Sequence, residues 1–576
     1  MKRNLITVVL VTLVVMLTLS IRMFAADTLV VYASGPTLDK VINGDTTATG
    51  AQKHVYKLVS LDTTYIFDGA VTAKHDLAVI GQLGSDGRPP CIQPDVLPDN
   101  SIPATLFTMV GNNSVGTFQN LYLMGLAVNG SPTPGTVGIG IQVSGDYIKI
   151  NINNCVFEEW RAFAIGYNGQ WDDFFIFNTK FRNTVDPTQQ YEGEVLRNEY
   201  PGAAYTDSIV MKYNTIFCVN AYSAGPVTKY YEKYFEFSHN SVIYSFKNPF
   251  FIFNVTNAKI NNNLFYNAWI GGISRTEYPW WDQLWSPEVG SIIDMDSLSV
   301  ATDSVFDAAD YGNANLRALA EAKRNVEVMN NVCFWPATVT SFWKSWNDTA
   351  TVDSIYTPTW MNTRTTNMFT NHTGFPGFVA TGNQAVDPGF GASIVNVLTA
   401  SSSSNNVSFE DYFRTMRTTT PSTTIWGYKD QTVTAGIWVP NWPLPEATDM
   451  KYSNTSLKTG GTDGKPIGDP YWFNGISTGV NDANNLVPNQ FKLYDAYPNP
   501  FNPSTTIKFN LAQSGNVVLR VYNVMGQLVK TVINNEYKTA GEFNYNIKMD
   551  NLSSGVYFYN LTQGSLSVTK KMVLLK

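Results

Sequence analysis

The stretch NCVF, Asn154–Phe157, places an asparagine three residues before a phenylalanine inside a strand-like run. The same spacing between an asparagine and a later apolar residue recurs along the chain at Asn120, Asn178, Asn214, Asn240, Asn262 and Asn331. Consecutive asparagines of this series are separated by 34, 24, 36, 26, 22 and 69 residues. Spacings in the twenties are typical of one coil of a parallel β-solenoid, and longer spacings are typical of coils that carry a loop.

Asparagine suits a tight bend between strands because it tolerates the left-handed backbone conformation, and stacked asparagines hydrogen-bond from coil to coil. The apolar residue that follows is expected to point inward and stack on its counterpart in the next coil. Repeated helix pairs would show a 3.6-residue period, which these segments lack. The alternative is an array of β-sandwiches, which would need hairpin turns between alternating strands. The sequence therefore predicts an all-β fold built mainly as a parallel solenoid.

The series and its surroundings resemble the right-handed parallel β-helix superfamily typified by pectate lyases. TLDKVI, Thr37–Ile42, fits the short helix that caps the first coil in that family, and Val55–Val71 reads as early coils. NQAVDPGF, Asn383–Phe390, and GTDGKPIGDPYWF, Gly461–Phe473, resemble late coils of secreted bacterial members. The resemblance implies a right-handed parallel β-helix domain over residues 27–475.

The 69-residue gap before Asn331 is about three times a normal coil. It predicts an insertion over about residues 276–326, with a helix at Asn313–Asn325 because that segment is rich in Ala, Leu, Glu and Lys. An insertion in a solenoid lies on one face, often the binding face.

Aromatic and acidic residues of this insertion are the predicted substrate-binding residues. Rings stack on sugar faces, and carboxylates accept hydrogen bonds from sugar hydroxyls. We expect a polysaccharide-binding groove beside the coils that begin at Asn240 and Asn262, lined by Tyr278, Trp280, Trp281, Asp282 and Trp285. The alternative is that the tryptophans of Trp269–Trp360 are buried between the insertion and the solenoid.

The N-terminus has the order of a secretory signal peptide. Lys2 and Arg3 precede the apolar run LITVVLVTLVVMLTL, and the small residues Ala25 and Ala26 follow. This order predicts a signal peptide over residues 1–26 with cleavage near Ala26. A membrane anchor is the alternative, but the run is short for spanning a bilayer, and no later run approaches that length. We expect no transmembrane anchor after signal removal.

The C-terminus has a different organisation from the solenoid. Residues 476–490 have the Gly, Asn, Ser and Pro content of a linker, and short alternating strands over residues 491–576 predict a small β-sandwich. YPNPFNP at Tyr497–Pro503, then VYNVMGQLVKT, LSSGVYFYNL and the basic end TKKMVLLK closely resemble the C-terminal sorting domain of the type IX secretion system. The resemblance implies a Gram-negative bacterium, the secretion machinery as a partner of residues 491–576, and a secreted or outer cell-surface location.

Composition and missing motifs narrow the possible chemistry. Residues 27–490 contain 27 Lys or Arg and 42 Asp or Glu, a net charge of about −15, which disfavours binding to nucleic acid. No CxxC or HExxH motif occurs, so no metal site is predicted. The cysteines are interpreted as buried thiols, with one disulfide as the alternative; they are Cys91, Cys155, Cys218 and Cys333.

Catalytic candidates come only from the resemblance. Uronate lyases of this superfamily use an Arg or Lys base with calcium held by acidic side chains, and polygalacturonases use aspartates. Their signature segments are missing except for an adjacent pair in QWDDFF, Asp172 and Asp173, for which a solvated turn pair is the alternative. Arg161, Lys180 and Arg182 on adjoining coils are the candidate basic partners. Calcium is expected only if the protein is a lyase, and no other cofactor is expected.

The sequence thus predicts a secreted or cell-surface β-helix protein that binds polysaccharide. A polysaccharide lyase or glycoside hydrolase and a structural surface or filament component are the alternatives, so whether the protein is an enzyme stays open. A carboxylate–base cluster with shifted pKa values would favour an enzyme. A polar face with exposed aromatic rings would favour binding, and open ends that can stack would favour assembly.

Deleting Phe491–Lys576 tests the predicted role of the C-terminus. The body should remain folded, because the sandwich is predicted to be a separate unit behind a linker, and it should accumulate in the periplasm. Fractionation and immunoblotting of cells measure this, with the full chain as control. Truncated protein at the cell surface would contradict the prediction.

Overall fold

The computed structural model describes residues 28–575 except for several short segments and three longer ones. The segments outside the described residues are 48–49, 53, 133–137, 187–191, 199–205, 226–231, 251, 253–254, 276–289, 296–320, 323, 350–353, 398–405, 418–424, 427–430, 435–436, 441, 445–447, 475–490, 495, 497, 512–514, 539–540 and 564–565. The predicted signal peptide, its cleavage site near Ala26 and the predicted linker lie outside the described residues.

Three parallel sheets, each built from one strand per coil, form the body. Sheet 1 has eleven strands: Thr28–Val31, Val55–Leu58, Leu77–Gly81, Val115–Gln119, Lys149–Asn153, Asp172–Phe177, Thr206–Lys212, Glu232–Ser238, Asn257–Asn261, Asn325–Met329 and Phe378–Thr381. Sheet 2 has nine: Tyr65–Phe67, Cys91–Pro94, Tyr122–Met124, Val156–Glu158, Lys180–Thr184, Thr215–Val219, Ser241–Ser245, Leu264–Tyr266 and Val332–Phe334. Sheet 3 has five: Val71–Ala73, Thr105–Met109, Ile139–Val143, Phe163–Tyr167 and Glu194–Asn198. The predicted all-β parallel β-helix is confirmed.

Helices and short strand pairs complete the body. The helices are α1 (Leu38–Gly44), α2 (Ala337–Thr349), α3 (Thr363–Thr370), α4 (Ala392–Asn396), α5 (Phe409–Met416) and α6 (Tyr471–Asn474), with a 3-10 helix at Thr455–Thr459. The strand pairs are Ile273–Ser274 with Ile355–Tyr356, Ser291–Ile293 with Thr359–Met361, Asn406–Val407 with Ile425–Trp426, and Gln431–Thr434 with Ile437–Pro440.

One bend between sheet 1 and sheet 2 recurs from coil to coil with a left-handed residue. This residue has φ between 51° and 60° at Asn120, Asn154, Asn178, Tyr213, His239, Asn262 and Asn330. Asparagine adopts this conformation more readily than other residues with a Cβ atom, because its short amide hydrogen-bonds locally. We call this row of residues the bend stack.

A buried ladder of amide side chains lies directly after the bend stack. It consists of Asn214, Asn240, Asn263, Asn331 and Asn383. The backbone N–H of Asn214 donates to Oδ1 of Asn240 at 3.0 Å, and the N–H of Asn240 donates to Oδ1 of Asn263 at 2.8 Å. Each amide nitrogen also donates to a strand carbonyl one coil back; that of Asn240, for example, is 2.8 Å from the oxygen of Met211. The ladder therefore satisfies buried backbone groups that the bend would otherwise leave unpaired.

The asparagine series of the sequence mixes these two positions. Asn120, Asn154, Asn178 and Asn262 are bend residues, and the apolar residue three positions later points into the core, as Phe157 does. Asn214, Asn240 and Asn331 are ladder residues, so the apolar residue three positions later, such as Phe217, packs on the outer side of sheet 2. The prediction that every such residue points inward is wrong for the second group, because a shift of one residue reverses the face of a strand.

Both ends of the solenoid core are covered by helices. At the first coil, α1 buries Leu38 and Ile42 in the main core, which confirms the predicted capping helix. At the last coil, Phe369 of α3 lies 5.1 Å from the ring of Phe378.

The long gap in the asparagine series adds residues to one coil and no further coil. Strand Asn257–Asn261 pairs directly with Asn325–Met329. Asn325 was predicted to end a helix, but it begins this strand, because its N–H bonds to the oxygen of Thr256 at 2.8 Å. The sequence missed a second enlargement, between Phe334 and Phe378, which carries α2 and α3.

The predicted late coil at Gly461–Phe473 is wrong. Residues Gly460–Trp472 contribute no strand to the three sheets and instead cross several coils along the bend stack. We call this segment the strap. Together with α2, α5, Leu444 and Met450, its Trp472 covers the outer side of sheet 2 in a second apolar cluster. Gln384, from the other predicted late coil, does join the last coil by a parallel bridge to Val332.

The C-terminal part folds around its own core as two antiparallel sheets. One contains Lys492–Leu493, Ser504–Leu511 and Gly541–Lys548, and the other contains Gly515–Asn523, Leu528–Lys538, Gly555–Gln563 and Leu566–Leu574. The proline-rich lead-in is anchored on the last strand: Phe501 is buried, and its N–H donates to the oxygen of Val573 at 3.0 Å.

Replacing the ladder residue Asn214 by leucine should lower the free energy of unfolding by about 3 kcal/mol. The change leaves the buried N–H of Thr179 and the carbonyl of Ile176 without their partner. Asn151→Leu is the control, because Asn151 is only half-buried on the outer side of sheet 1, and it should cost about 0.5 kcal/mol or less. Chemical unfolding of the two variants measures the difference. Equal stabilities would contradict the ladder.

Candidate functional site

Two bends in the middle of the solenoid carry rings where the neighbouring coils carry asparagine. Tyr213 has φ 60° and His239 has φ 55°, between Asn178 and Asn262 in the bend stack. A residue with a ring in this conformation costs about 1–3 kcal/mol, and such positions cluster at functional sites. The two residues therefore identify a candidate site, which we call the bend site.

The strap crosses the solenoid over these two bends. Thr462 and Asn262 exchange two hydrogen bonds, from the backbone N–H of Thr462 to Oδ1 at 2.9 Å and from Nδ2 to Oγ1 at 3.0 Å. Nδ1 of His239 lies 2.9 Å from the oxygen of Pro466. Gly468 has φ 83°, and a Cβ atom there would lie 2.5 Å from Oγ of Ser241. Only glycine therefore fits where the strap approaches the strand so closely.

Charged groups of the strap surround Tyr213 and His239. Nζ of Lys465 donates to the hydroxyl of Tyr213 at 3.0 Å and lies 3.4 Å from Oδ2 of Asp463. Burial acts to lower the pKa of Lys465, but Tyr213 and Asp463 outweigh it and raise the pKa. Burial acts to raise the pKa of Asp463, but His239 and Lys465 outweigh it and lower the pKa. Both strap groups are therefore charged at neutral pH.

His239 is held as a neutral ring. Burial lowers its pKa, with Asp463 acting in the opposite direction. Its Nδ1 is the donor to Pro466, so Nε2 is free to accept from Nδ2 of Asn262 at 3.1 Å. The same Nε2 lies 3.2 Å from Oδ1 of Asp463, which is its partner in the protonated form.

A second charge pair lies beside the bend site on the outer side of sheet 1. Nζ of Lys212 is 2.9 Å from Oε1 of Glu236, and the hydroxyl of Tyr234 donates to Oε2 at 2.9 Å. Glu236 raises the pKa of Lys212. Burial acts to raise the pKa of Glu236, but Lys212 and Lys259 outweigh it and lower the pKa. Both members of this pair are charged at neutral pH.

The site is accessible from solvent. Thr462, Asp463 and Lys465 are exposed, and Tyr213 and Tyr234 are half-buried. It therefore offers a ring face together with hydrogen-bond donors and acceptors on one surface.

The two predicted aspartates lie away from the bend site, at the start of strand Asp172–Phe177 of sheet 1. Asp172 is fully buried and its Oδ1 accepts from the N–H of Ile148 at 2.7 Å. Burial raises the pKa of Asp172 to about 8, with a further contribution from Asp146. Asp173 is half-buried beside Lys149 of the preceding coil, and burial lowers the pKa of Lys149 to about 8. The capping bond of Asp172 gives this carboxylate a structural role in the turn.

The predicted basic partners lie in three different places. Arg182 is buried and its Nη1 is 2.7 Å from Oε1 of Glu158. Lys180 lies under the strap, with its Nζ 3.5 Å from the centre of the Tyr471 ring. Arg161 is close to Asp186, which acts against the lowering of its pKa by burial. The structure does not bring these residues together with Asp172 and Asp173 into one site.

The predicted substrate-binding residues Tyr278, Trp280, Trp281, Asp282 and Trp285 lie outside the described residues. The five other tryptophans of Trp269–Trp360 are buried or half-buried in apolar clusters; they are Trp269, Trp335, Trp343, Trp346 and Trp360.

All four cysteines are buried and none forms a disulfide, which confirms their interpretation as buried thiols. Among the described residues, no three His, Cys, Asp or Glu side chains come together in a group that could hold a metal ion. Within the same part of the chain, no helix is both long and apolar enough to cross a membrane.

The sequence contained one signal for the bend site. At Asn214 and Asn240 the asparagine of the series is the ladder residue and not the bend residue. The bend residues just before them are therefore Tyr213 and His239, not asparagines. The strap residues Asp463 and Lys465 belong to GTDGKPIGDPYWF, which was predicted to be a late coil, because no local pattern shows that it lies on coils about 230 residues earlier.

The body is thus a parallel β-helix with a candidate site at its bends, followed by a separate β-sandwich. Residues 495–575 match the family model of the secretion system C-terminal sorting domain. No curated protein and no solved structure matches the chain. The chain therefore carries a type IX sorting domain as predicted, it interacts with the type IX machinery, and the protein is secreted or located at the cell surface.

The raised pKa of Asp172 predicts a pH-dependent stability. Its pKa in the folded protein, about 8, exceeds the ordinary value of 3.8, so the protonated carboxyl stabilises the fold and this contribution is lost as pH rises through about 8. Asp172→Asn keeps a neutral side chain, so the variant should gain stability relative to wild type between pH 5 and 8.5. Chemical unfolding across this range measures the trend, with Asp173→Asn as control. A constant difference between Asp172→Asn and wild type would contradict the prediction.

Proposed function

We propose that the exported body binds polysaccharide at the bend site. The observation that carries this proposal is the presence of two rings, Tyr213 and His239, in a strained conformation where asparagine is the preferred residue. The bend does not need a ring at Tyr213, because neighbouring coils form it with Asn178 and Asn262, whereas the buried His239 also anchors the strap. A cost in stability without a benefit to the fold supports a role in function.

The chemistry of the site suits a sugar chain. The half-buried ring of Tyr213, which has Nζ of Lys465 4.9 Å from its centre, provides an aromatic surface, while Thr462, Asp463 and Lys465 provide hydroxyl, carboxylate and ammonium groups at the surface. Sugars combine apolar ring faces with many hydroxyl groups, and sites with aromatic walls and a few polar groups suit them. Successive coils are about 4.8 Å apart, so the bend stack repeats its contacts along an extended ligand.

The charge states favour binding over proton transfer at this site. A general acid or base works best with a pKa near the operating pH. Here Lys465 has a raised pKa, Asp463 has a lowered pKa, and the pKa of His239 is lowered by burial.

The predicted groove of the insertion is compatible with this location. It was placed beside the coils that begin at Asn240 and Asn262, which are the coils of the bend site. Trp280, Trp281 and Trp285 stay predicted sugar contacts. A Gram-negative source and removal of a signal peptide at Ala26 stay part of the proposal, because export by this machinery requires passage through two membranes.

A polysaccharide lyase or glycoside hydrolase is the second candidate. Lys149 favours it, because burial lowers its pKa to about 8 and it lies over the ring of Phe175 at 4.8 Å, next to Asp173. Calcium belongs to this candidate alone. The test is incubation with polysaccharides, with and without chelator, for wild type and Lys149→Ala. Absorbance of unsaturated uronates and the number of reducing ends are then measured.

The filament alternative gains no support, because α1 and α3 cover both ends of the core.

Tyr213→Asn should separate binding from stability. Asparagine is preferred in this conformation, so the melting temperature should stay equal or rise, while the loss of the ring should weaken binding by about 1–3 kcal/mol, on the scale of aromatic stacking elsewhere. Tyr147→Asn is the matched control, because Tyr147 also has φ 58° but is exposed at another turn.

The control variant should gain similar stability and keep its affinity. Isothermal titration with soluble oligosaccharides and thermal unfolding of both variants measure the two effects. Unchanged affinity of Tyr213→Asn for every sugar that the wild type binds would contradict the bend site as the binding site.

A further inference from the structure

Cations and carboxylates alternate at the bend site. Lys465 lies beside Asp463, and Lys212 lies beside Glu236. Lys259 is the cross-strand neighbour of Glu236 on one side and of Glu327 on the other. The described residues of the site therefore carry equal numbers of positive and negative charges, and each lysine has a carboxylate next to it.

This arrangement disfavours an anionic ligand. A uronate or sulfate group needs a cation or several N–H donors. At the bend site it would have to lie beside Asp463 to reach Lys465, or beside Glu236 to reach Lys212. Two carboxylates close together repel each other and raise the pKa of one of them.

The net charge of the whole body also disfavours an anionic ligand. Residues 27–490 have a net charge of about −15, which repels a polyanion before contact. A cluster of lysines without carboxylates would overcome this repulsion locally, but the described residues of the bend site do not form one.

A neutral sugar fits the same groups without displacing any of them. A hydroxyl group both donates and accepts, so it can bond at once to a carboxylate oxygen and to an ammonium N–H. Asp463 and Lys465 are exposed and 3.4 Å apart, so neighbouring hydroxyls of one sugar can bond to both. Tyr213 is then in contact with the ring face through its own half-buried ring.

We propose that the bend site selects uncharged polysaccharides and rejects uronate-rich or sulfated ones. This inference rests on the proposed function, since it names the class of polysaccharide bound at the same site. Selectivity arises from the pairing of Lys465 with Asp463 and of Lys212 with Glu236, which leaves the site neutral.

The experiment compares neutral and acidic probes on the full body. Xylan and mannan oligosaccharides are the neutral probes, and oligogalacturonate and oligoalginate are the acidic ones. The wild type should bind at least one neutral probe with about tenfold higher affinity than either acidic probe. The affinity for the neutral probe should change little with salt, because no net charge is neutralised on binding.

Asp463→Asn tests the cause of the selectivity. It removes the carboxylate beside Lys465 and should raise the affinity for the acidic probes several-fold at low salt, with the gain lost at high salt. Asp348→Asn is the matched control, because it removes the exposed partner of Lys344 on α2 and changes the net charge by the same amount. The control should show no gain.

Three outcomes would overturn the inference, each in a different way. Tighter binding of acidic than of neutral probes, lost in Tyr213→Asn, would overturn the selectivity and leave polysaccharide binding intact. Equal gains for Asp463→Asn and Asp348→Asn would assign the effect to net charge and exclude the pairing at the site. Lack of binding to any probe or to a broader panel of polysaccharides would overturn the proposed function itself.

Discussion

The hydrogen bond from a bend amide to the side chain of an asparagine in the next coil is the interaction on which the rest of the body depends. From Thr179 onward, each turn between sheet 1 and sheet 2 leaves a buried N–H and a carbonyl that the sheets do not pair. Asn214, Asn240, Asn263, Asn331 and Asn383 satisfy both groups at once. This pairing fixes the register of neighbouring coils, and it places the residue just before each ladder asparagine in a left-handed conformation that faces outward.

At the residue just before each ladder asparagine, the fold accepts residues other than asparagine. Most coils fill it with asparagine, but Tyr213 and His239 fill it with rings, and the strap crosses the solenoid at the same place. The strap also contributes Asp463 and Lys465, so the site joins residues from the middle and from the end of the body. Consecutive residues therefore have different roles: Asn214 stabilises the coil stack, and Tyr213 just before it is half-buried and accessible to a ligand.

The solenoid could be predicted from the sequence because its determinant is local. An asparagine before a short apolar run recurs wherever a coil bends, and the secretion domain is likewise recognised from three short blocks near the C-terminus. The face of each strand could not be predicted in the same way, because Asn154 and Asn214 fit one pattern while they occupy adjacent positions of the bend. Spacing alone does not distinguish a left-handed residue from the ladder residue that follows it.

The site was missed because it depends on long-range packing. Tyr213 and Lys465 are far apart in sequence, and only the path of the strap brings the hydroxyl and the ammonium group to 3.0 Å. The catalytic candidates failed to converge for a related reason. Arg182 was selected for its charge, but in the folded chain Glu158 already pairs with it beneath a cover formed by distant helices. The sequence shows which residues are charged and which of them lie on neighbouring coils. It does not show which of them the second half of the body buries.

The proposed function requires the ligand to contact the bend site. Hydrogen–deuterium exchange of the full body, with and without a bound oligosaccharide, tests it most directly, because amide exchange reports protection segment by segment. We expect the ligand to increase protection in the strap at Thr462–Lys465 and in the bend at Lys212–Tyr213, with little change in the coils before Asn151. Protection confined to other segments, with the strap and these bends unchanged, would contradict it.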